Sequence, residues 1–475
     1  MSKKRITKKI SNIDEKILSI VVFSLFFSWL LAFPFEGQVL YALTERFGIE
    51  AQSMVFGAIA AHFCGLISCG FFIKTMKTVK RVMIFSIIIC IAGSIPFFFT
   101  PSIIWHISII SCSFMTGVCI AAWGFYFKIY TPSNNRIKTA ADLLIYSNIL
   151  MVIINATAIN ISPYAGLALS IIMLIGSLFF MVRMPGDVKT SDENYIDGIT
   201  ISVSPAKPFC FLCFFIVIIT INSGLMYQVV NPAFAHHKLL VSWYWAVPYI
   251  IALYIIKNLR EKTNRNYILY VAIAMIGFSF IAFILLDRSV LSYLIINTLM
   301  LGACGIYDLF WWSILGEMLD YHDNPAKILG IGLSANVLGI FIGGMLGNSI
   351  ASSDTIYYNS SMLALSVVLI TLIMLPLLHK HLSMLLKNHV FLMTLYEMAP
   401  SKQKDTIESF SMIGNLTERE SEITALLLKG RTYKMIANEV YLSENTVKTH
   451  IKNIYSKFNV QSKVELINLL MEKEN

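Results

Sequence analysis

The sequence predicts an all-α protein, in which a membrane bundle of about twelve helices is followed by a small helical domain. Of the 475 residues, 56% are hydrophobic and only 14% are charged, whereas soluble domains usually carry about 25% charged residues. The apolar residues fall in runs of roughly 20, the length that an α-helix needs to cross roughly 30 Å of hydrocarbon. Residues 416–470 differ from the rest, because they are rich in charge and contain no run of that length.

The apolar runs predict helices, because a backbone in lipid must form its hydrogen bonds within its own segment. Core helices of a large soluble protein would carry polar faces, whereas the runs Val82–Phe99 and Phe209–Ile221 have almost no polar residues. We expect spans at about 17–35, 51–73, 81–100, 103–127, 139–160, 163–183, 209–230, 239–257, 266–286, 289–317, 327–350 and 357–378.

Lysine and arginine residues are concentrated in alternate loops. One set of loops contains basic clusters, among them Lys3–Lys9 and Lys74–Arg81. The other set contains only Arg46, Lys238 and Arg288. Because basic loops stay on the cytoplasmic side of a membrane, the N-terminus is expected inside. An even number of spans then places the C-terminus inside as well.

A polar loop at residues 184–208 separates the spans into two sets of six. After the spans, Leu382–Met398 is apolar enough to form a helix on the bilayer or on the bundle, and Ala399–Asn415 is a polar linker. The expected segments are a basic cytoplasmic N-terminus (1–16), a first transmembrane half (17–183), the central cytoplasmic loop (184–208), a second transmembrane half (209–380), a linker (381–415) and a C-terminal domain (416–475).

Two sets of six spans around a central cytoplasmic loop resemble the major facilitator superfamily, over residues 1–380. The glycines of the eleventh span permit close helix packing at GxxxG spacing. In that family the loop between the second and third spans contains an acidic residue and then Gly-Arg-Arg or Gly-Arg-Lys. Here the loop reads GFFIKTMKTVKR from Gly70, and Lys74 stands near the acidic position. This departure argues against active transport.

Helix-boundary signals divide the C-terminal domain into four short helices. Thr417 with Glu420, and Ser462 with Glu465, form capping boxes, in which a hydroxyl and a carboxylate satisfy backbone amides at a helix start. Ser443 is a further N-cap candidate. The predicted helices cover about 417–429, 433–441, 444–458 and 463–472.

The third of these helices has two distinct faces. An apolar stripe at helical spacing, expected to pack on the second helix, consists of Val447, Ile451, Ile454 and Phe458. The opposite face consists of Asn445, Lys448, Thr449 and Lys452. Such a face suits the major groove of DNA, where lysine donates to guanine and threonine contacts the thymine methyl group. Lysines on the wet face of an ordinary amphipathic helix are the alternative interpretation.

The order LTxRE, a glycine, IAxxV, SxxTVKxHIxNIxxKF and VxxxxELI closely resembles the LuxR-type helix-turn-helix, over residues 416–470. The resemblance implies double-stranded operator DNA as a partner, with the third helix in the major groove. The residues that it places at the bases are Lys448, Thr449 and Lys452, on the face that also carries Asn445. Those that it places on or near the phosphate backbone are Thr432, Lys434, Thr446, His450 and Lys457.

The fourth helix commonly serves dimerisation in that family. Here Val464, Ile467 and Leu470 either form such a homodimer contact or pack inward. No receiver-like αβ pattern precedes the domain, so its input is expected from the membrane part. The chain resembles LuxR-type modules joined to major-facilitator-like bundles, which are membrane-anchored regulators in bacteria. We therefore expect it in the bacterial cytoplasmic membrane, crossing the lipid bilayer many times with both termini in the cytoplasm.

Ionisable residues at membrane depth are candidates for function. Asp308 lies in GIYDLFWWSILGEM, next to aromatic residues, and an acid among aromatics suits a cationic or a hydrogen-bonding aromatic ligand. Glu36, His62 and Trp123 are further candidates for contact with an unknown small molecule. The structural alternative is an interhelical hydrogen bond that joins spans, or, for Glu36, a position at the water boundary.

No GxxxxGK[ST], HExxH or GxSxG motif occurs, so we expect no enzyme, no catalytic residue, no cofactor and no metal site. The leading hypothesis is a membrane-anchored, ligand-responsive transcriptional regulator. One alternative is a major-facilitator-type transporter of a small molecule with an additional DNA-binding tail. Another is a membrane bundle whose tail binds a protein instead of DNA.

Overall fold

A computed structural model describes the chain except for residues 1, 133–134, 187–205, 260–264, 320–323, 351–355, 398–411, 413, 429–432, 461–464, 467–468 and 470–475. All regular elements in the described part are helical, as predicted. The chain divides into two compact units. The first comprises Met1–Val188 and Leu212–Met374, and the second comprises Lys189–Phe211 and Leu375–Asn475.

Most residues of the bundle helices, which form two halves, belong to the first unit. In the first half these elements are α1 (Ser2–Ala32), α2 (Gln38–Arg46), α3 (Gln52–Phe72), α4 (Met76–Ser94), α5 (Ile103–Tyr130), α6 (Arg136–Asn160) and α7 (Pro163–Arg183). In the second half they are α8 (Ala206–Leu225), α9 (Asn231–Ala233), α10 (Lys238–Tyr244), α11 (Val247–Lys257), α12 (Arg265–Leu285), α13 (Val290–Met318), α14 (Pro325–Ile350) and α15 (Ile356–Glu397).

Twelve stretches of these helices are long and apolar enough to cross a membrane, which confirms the predicted number of spans. Two spans are less regular than expected. The seventh passes through a π-helical turn at Met226–Val230 before α9, and the eighth is made of α10 and α11. Pro248 lies at the start of α11, where its missing N–H costs no helical hydrogen bond.

The twelfth span lies within α15, which continues without interruption to Glu397. Residues 382–397 are therefore helical, as expected, but they continue the helix of the last span and do not form a separate helix. The sequence LHKHLS around its end contains no glycine or proline that would stop a helix. The predicted linker at 399–415 lies mostly outside the described residues.

Glycines allow α14 to lie against α8 at backbone distance. A Cβ atom on Gly343 would lie 2.1 Å from the carbonyl oxygen of Ile221, and one on Gly339 would lie 2.4 Å from that of Val217. Only hydrogen fits in these positions, as predicted for small-residue packing between membrane helices. On the side of α14 that faces the first half, a Cβ atom on Gly330 would lie 2.3 Å from the carbonyl oxygen of Leu66 in α3. The eleventh span is thus a central element that contacts both halves.

In the second unit, three helices form a small domain: α16 (Glu418–Leu428), α17 (Tyr433–Glu439) and α18 (Glu444–Lys457). The predicted stripe of α18 is buried against α16 and α17. The core consists of Ile423, Leu427, Leu428, Ile436, Ala437, Val440, Val447, Ile451, Ile454, Phe458 and Leu466. The fourth predicted helix lies mostly outside the described residues, and so do Ser462, Val464, Ile467 and Leu470.

The caps of this domain match the sequence signals. The amide of Thr417 donates to Glu420 Oε2 at 2.9 Å, and the amide of Glu420 donates to Thr417 Oγ1 at 3.3 Å, which completes a capping box. Ser443 Oγ accepts from the amide of Thr446 at 3.1 Å at the start of α18. In the turn between α17 and α18, Tyr441 has a φ of 54° and is 94% exposed.

Candidate functional site

One face of α18 is buried in the core of the domain, so the opposite face points to solvent. Val447 and Ile454 are fully buried, and Ser443 fixes the first turn. Because side chains at i, i+3, i+4 and i+7 share one face of a helix, the remaining positions point to solvent. The predicted side chains that are exposed on this helix are Asn445, Thr446, Lys448, Thr449 and Lys452, while His450 is half-buried.

Lys448 is available on this face despite one ionic contact. Its ammonium group lies 2.8 Å from Glu444 Oε1, one helical turn back, and both side chains are about half exposed. Exposed pairs of this kind contribute little, roughly 0.3–0.5 kcal/mol. A DNA group could therefore displace Glu444 from Lys448 at small cost.

Lys457 is the last residue of α18, and its ammonium group forms hydrogen bonds within the domain. Its Nζ donates to Glu420 Oε2 at 2.6 Å and to the carbonyl oxygen of Asn415 at 3.0 Å. Burial tends to raise the pKa of Glu420, but hydrogen bonds from Lys457 and Thr417 outweigh burial and hold that pKa below its usual range. Lys457 thus ties the C-terminal end of α18 to the start of α16. The sequence contained no signal for this pairing.

Two predicted phosphate contacts cannot be placed. Thr432 lies outside the described residues, and of Lys434 only the helical backbone in α17 is described. Their assignment to the DNA backbone stays a prediction.

A second candidate site is a cavity between the two halves of the bundle, with a volume of about 130 Å³. Helices α1, α3, α5 and α6 of the first half line it, together with α8, α11, α13 and α14 of the second half. Two of the predicted ligand contacts, Asp308 and His62, are in its lining. The structure therefore brings together residues that are 246 positions apart (308 minus 62) in the sequence.

Asp308 is partly buried in the cavity wall, in the middle of α13. Its Oδ2 accepts a hydrogen bond of 2.6 Å from the hydroxyl of Tyr249 in α11. Tyr249 and the neighbouring Trp312 also line the cavity. The carboxyl group is thus oriented by a tyrosine, and it shares the cavity wall with aromatic residues.

His62 is buried in α3, and its Nδ1 lies 3.3 Å from the carbonyl oxygen of Ser113. A carbonyl oxygen only accepts, so Nδ1 carries the proton and a neutral ring presents Nε2 as an acceptor. The ring also meets that of Phe35 edge to face, at 5.5 Å between centroids. Both the orientation and the tautomer of His62 are therefore fixed by its surroundings.

The other two predicted ligand contacts lie outside the cavity lining. Glu36 is buried after the end of α1, where it accepts hydrogen bonds from Tyr41 (2.5 Å) and Gln228 (3.3 Å). Trp123 donates its indole N–H to Ser19 Oγ at 2.9 Å, and its ring packs 6.3 Å from that of Trp312. Trp123 is thus one ring removed from the cavity.

Sequence reasoning missed several lining residues, among them Tyr249, Asn148 and Tyr227. The two tyrosines resemble ordinary aromatic residues of an apolar span, and Asn148 is one of several polar residues in α6, so spacing does not distinguish them. An inspection of every polar side chain at membrane depth would have included Asn148 and Ser223, which also line the cavity.

Contacts between the halves lie on both sides of the cavity. We call the end with Lys74 and Arg81 the basic end. There the guanidinium of Arg136 donates to the carbonyl oxygen of Gly316 at 2.7 Å, and Lys257 pairs with Asp142. Asn324 also donates across the halves at this end, to the carbonyl oxygens of Gly70 (2.8 Å) and Ile73 (2.9 Å), so charged and neutral contacts occur together.

The other end of the bundle, with Glu36 and Gln228, we call the opposite end. There Gln52 donates to Gln228 at 3.1 Å and to Asn348 at 2.7 Å. Lys238 pairs with Glu45 in an exposed position. Contacts between the two halves therefore lie at both ends of the bundle.

These features define a class: a polytopic helical bundle with a central cavity, joined to a small domain with an exposed, cationic helix. Residues 414–470 match the family described as bacterial regulatory proteins, luxR family. This segment is a LuxR-type helix-turn-helix domain, a kind of domain that binds DNA and often dimerises.

Curated relatives match this same segment. It is 50% identical over 58 residues to an uncharacterized response regulatory protein, YgeK, of Escherichia coli. The aligned region covers 12% of this chain and 40% of YgeK. It is 45% identical over 51 residues to the transcriptional regulatory protein LiaR of Bacillus subtilis, which covers 11% of this chain and 24% of LiaR. The chain thus spans less than half the length of these relatives.

Solved structures match the bundle. The proton:xylose symporter XylE of the major facilitator superfamily aligns with a TM-score of 0.60 and 13% identity, over 78% of this chain and 96% of XylE. The human organic anion transporter MFSD10 aligns with a TM-score of 0.57 and 11% identity, over 77% of this chain and 98% of MFSD10. At such low identity the likeness shows the fold, and the bundle has the major facilitator fold.

Proposed function

We propose that this protein is a membrane-anchored, ligand-responsive transcriptional regulator. Its helix-turn-helix domain binds operator DNA in the cytoplasm, and its bundle binds a small molecule in the cavity between the halves. The observation that carries the proposal is the presence, in one chain, of an exposed lysine-threonine helix face and a polytopic bundle with a cavity between its halves that contains polar groups.

The DNA-binding part is supported by the shape and chemistry of α18. Asn445, Lys448, Thr449 and Lys452 form one exposed face that is backed by a rigid apolar core. Major-groove recognition needs such a helix, with hydrogen-bonding side chains near its N-terminal half. Thr446 and His450 flank this face and reach for phosphates, and a homodimer would present two such helices to adjacent half-sites.

Ligand control follows from the composition of the cavity. Asp308 belongs to one half of the bundle and His62 to the other, so a bound molecule contacts both. A ligand shifts a conformational equilibrium only through its difference in affinity between the states. A molecule that bridges the halves favours the arrangement in which both contacts form. Helix α15 covalently links the last span to residues that precede the DNA-binding domain.

Orientation is the first test. Basic loops predict that both termini face the cytoplasm. A reporter enzyme fused after Asn475 should therefore be active only if it is a cytoplasmic reporter, and a tag there should be inaccessible from outside intact cells. Labelling of that tag in intact cells would refute the proposal, because DNA would lie on the wrong side of the membrane.

Transcription with and without the full chain is the second test. We expect that RNA sequencing identifies a small set of genes that change with the protein, and that footprinting with membranes containing the full chain protects their promoters. The same promoters should stay unprotected with the double variant Lys448→Ala/Lys452→Ala. An unprotected promoter with the wild-type chain contradicts the proposal.

A transporter with a regulatory tail is the second candidate, favoured by the cavity between two six-span halves. Uptake into proteoliposomes under a proton or sodium gradient separates the two candidates. We expect no gradient-driven accumulation of a molecule that changes transcription, because the basic end lacks the acidic loop residue of transporters. Accumulation would support the transporter.

A further inference from the structure

The residues that line the cavity include an acidic side chain without a basic side chain beside it in the lining. Asp308 is the one carboxyl group among the described lining residues, and these include no lysine or arginine. Within the described part of the chain, its hydrogen-bond donor is the neutral hydroxyl of Tyr249. A carboxylate that is removed from water without a positive partner is unfavourable. A cation next to Asp308 would therefore be stabilising, and no lysine or arginine among the described lining residues supplies it.

Two other polar groups of the wall present acceptors. The neutral ring of His62 offers Nε2, because its Nδ1 donates to Ser113. Asn148 donates one amide N–H to the carbonyl oxygen of Leu144 at 2.8 Å, and its amide oxygen is an acceptor for a ligand. The cavity thus offers acceptors from three helices, α3, α6 and α13, beside one indole N–H, that of Trp245, which has no hydrogen-bond partner among the described residues.

Aromatic side chains and the volume restrict the ligand further. The aromatic part of the wall consists of Phe27, Phe35, Tyr227, Trp245, Tyr249 and Trp312. Faces of such rings attract cations. A volume of about 130 Å³ is close to that of an apolar cavity of about 150 Å³ that accommodates benzene.

We propose that the cavity binds a small primary ammonium ion, with its nitrogen against Asp308, His62 and Asn148 and its carbon part among the aromatic rings. A primary ammonium group supplies one positive charge and three N–H donors, which match one carboxylate and two neutral acceptors. This inference rests on the proposed function, since it names the ligand class of the same cavity.

Binding is tested on the full chain in lipid nanodiscs by isothermal titration calorimetry. The probes are butylamine, cyclohexylamine and benzylamine, each compared with the alcohol of the same carbon skeleton. We expect at least one amine to bind about tenfold or more tightly than its alcohol, because charge-assisted hydrogen bonds are roughly twice as strong as neutral ones. Equal affinities for amine and alcohol, or no binding of any amine, would overturn the proposal.

Variants locate the site. Asp308→Asn keeps the shape of the side chain and removes the charge, and we expect it to abolish the preference for amines over alcohols. Glu36→Gln is the matched control, because Glu36 is also a buried acid with a tyrosine partner but lies outside the lining. An unchanged preference in Asp308→Asn would refute the assignment. The amine-alcohol comparison on the wild-type chain needs no variant and stands even if Asp308→Asn fails to fold.

Failure of this proposal can be told from failure of the proposed function. If an amine binds and the transcript set of the second test above does not respond to it, the ligand class stands and ligand control of transcription fails. If transcription responds to a neutral or anionic molecule and Asp308→Asn keeps that response, ligand control stands and the ammonium assignment is wrong.

Discussion

At the scale of single residues, DNA recognition depends on a few exposed side chains of α18. Lys448→Ala and Lys452→Ala should each weaken operator binding by about 1–3 kcal/mol, and a base contact should also relax specificity at one position. Fluorescence anisotropy with the full chain in nanodiscs measures both effects. Asn453→Ala, an exposed change on the same helix, is the control. Unchanged affinity in both lysine variants would remove the base-reading assignment.

The capping carboxylate Glu420 makes the stability of the same domain depend on pH. Its pKa is held below the usual range in the folded chain, so its contribution is present above the unfolded pKa and is lost as pH falls through the folded pKa. Glu420→Gln should destabilise the domain by about 1–2 kcal/mol at neutral pH, and it should flatten the acid dependence.

Hydrogen exchange of the α16 and α18 amides, measured on the full chain between neutral pH and acid, checks this. Glu422→Gln is the matched control, because its partner Arg419 and the carboxylate itself are both well exposed. Equal pH dependence in Glu420→Gln and in the wild type would mean that the Lys457 contact does not stabilise the domain.

At the scale of elements, close packing of α14 on α8 depends on the absence of side-chain atoms. A Cβ atom on Gly343 would lie 2.1 Å from a backbone oxygen, and backbone cannot rotate away. Gly343→Ala should therefore destabilise the bundle by about 1–3 kcal/mol. Gly277→Ala is the control, since its nearest neighbour is a valine methyl at 3.6 Å. Thermal unfolding in detergent compares the two, and equal midpoints would contradict the packing argument.

Helices and turns of this protein could be predicted where the signal lies in residues that are neighbours in the sequence. The twelve spans follow from apolar length, and the start of α18 follows from Ser443, whose hydroxyl accepts the third amide. The turn before α18 was predicted by length, but the left-handed conformation of Tyr441 was not. Glycine is the usual residue there, and a tyrosine gives no sign that the backbone adopts this conformation.

The two candidate sites also differ in whether their residues are close together in the sequence. The DNA-binding face lies on one helix, so periodicity alone separates its exposed positions from the buried Val447 and Ile451. The cavity is assembled from eight helices, and its polar groups are brought together only by tertiary packing. Asp308 could be suspected because a charge in a membrane span is costly, whereas Tyr249 could not.

At the scale of the whole bundle, the contacts on the two sides of the cavity differ in chemistry. Both ends combine charged and neutral contacts, but the Lys257–Asp142 pair at the basic end is mostly buried, whereas the Lys238–Glu45 pair at the opposite end is well exposed. Hydrogen bonds to charged groups are roughly twice as strong as neutral ones. Because solvent screens an exposed ion pair more than a buried one, we expect that the opposite end opens first and admits the ligand, while the basic end stays closed.

A charge swap tests whether the basic end controls the output. Asp142→Lys and Lys257→Asp each place like charges together across the two halves, which should open the basic end and shift transcription of the target genes in the absence of ligand. The double variant restores opposite charges and should return transcription toward the wild-type level. Glu45→Lys with Lys238→Glu is the matched control at the opposite end, where the pair is exposed and screened. Single variants that transcribe like the wild type would show that the pair does not set the balance between the two arrangements of the halves.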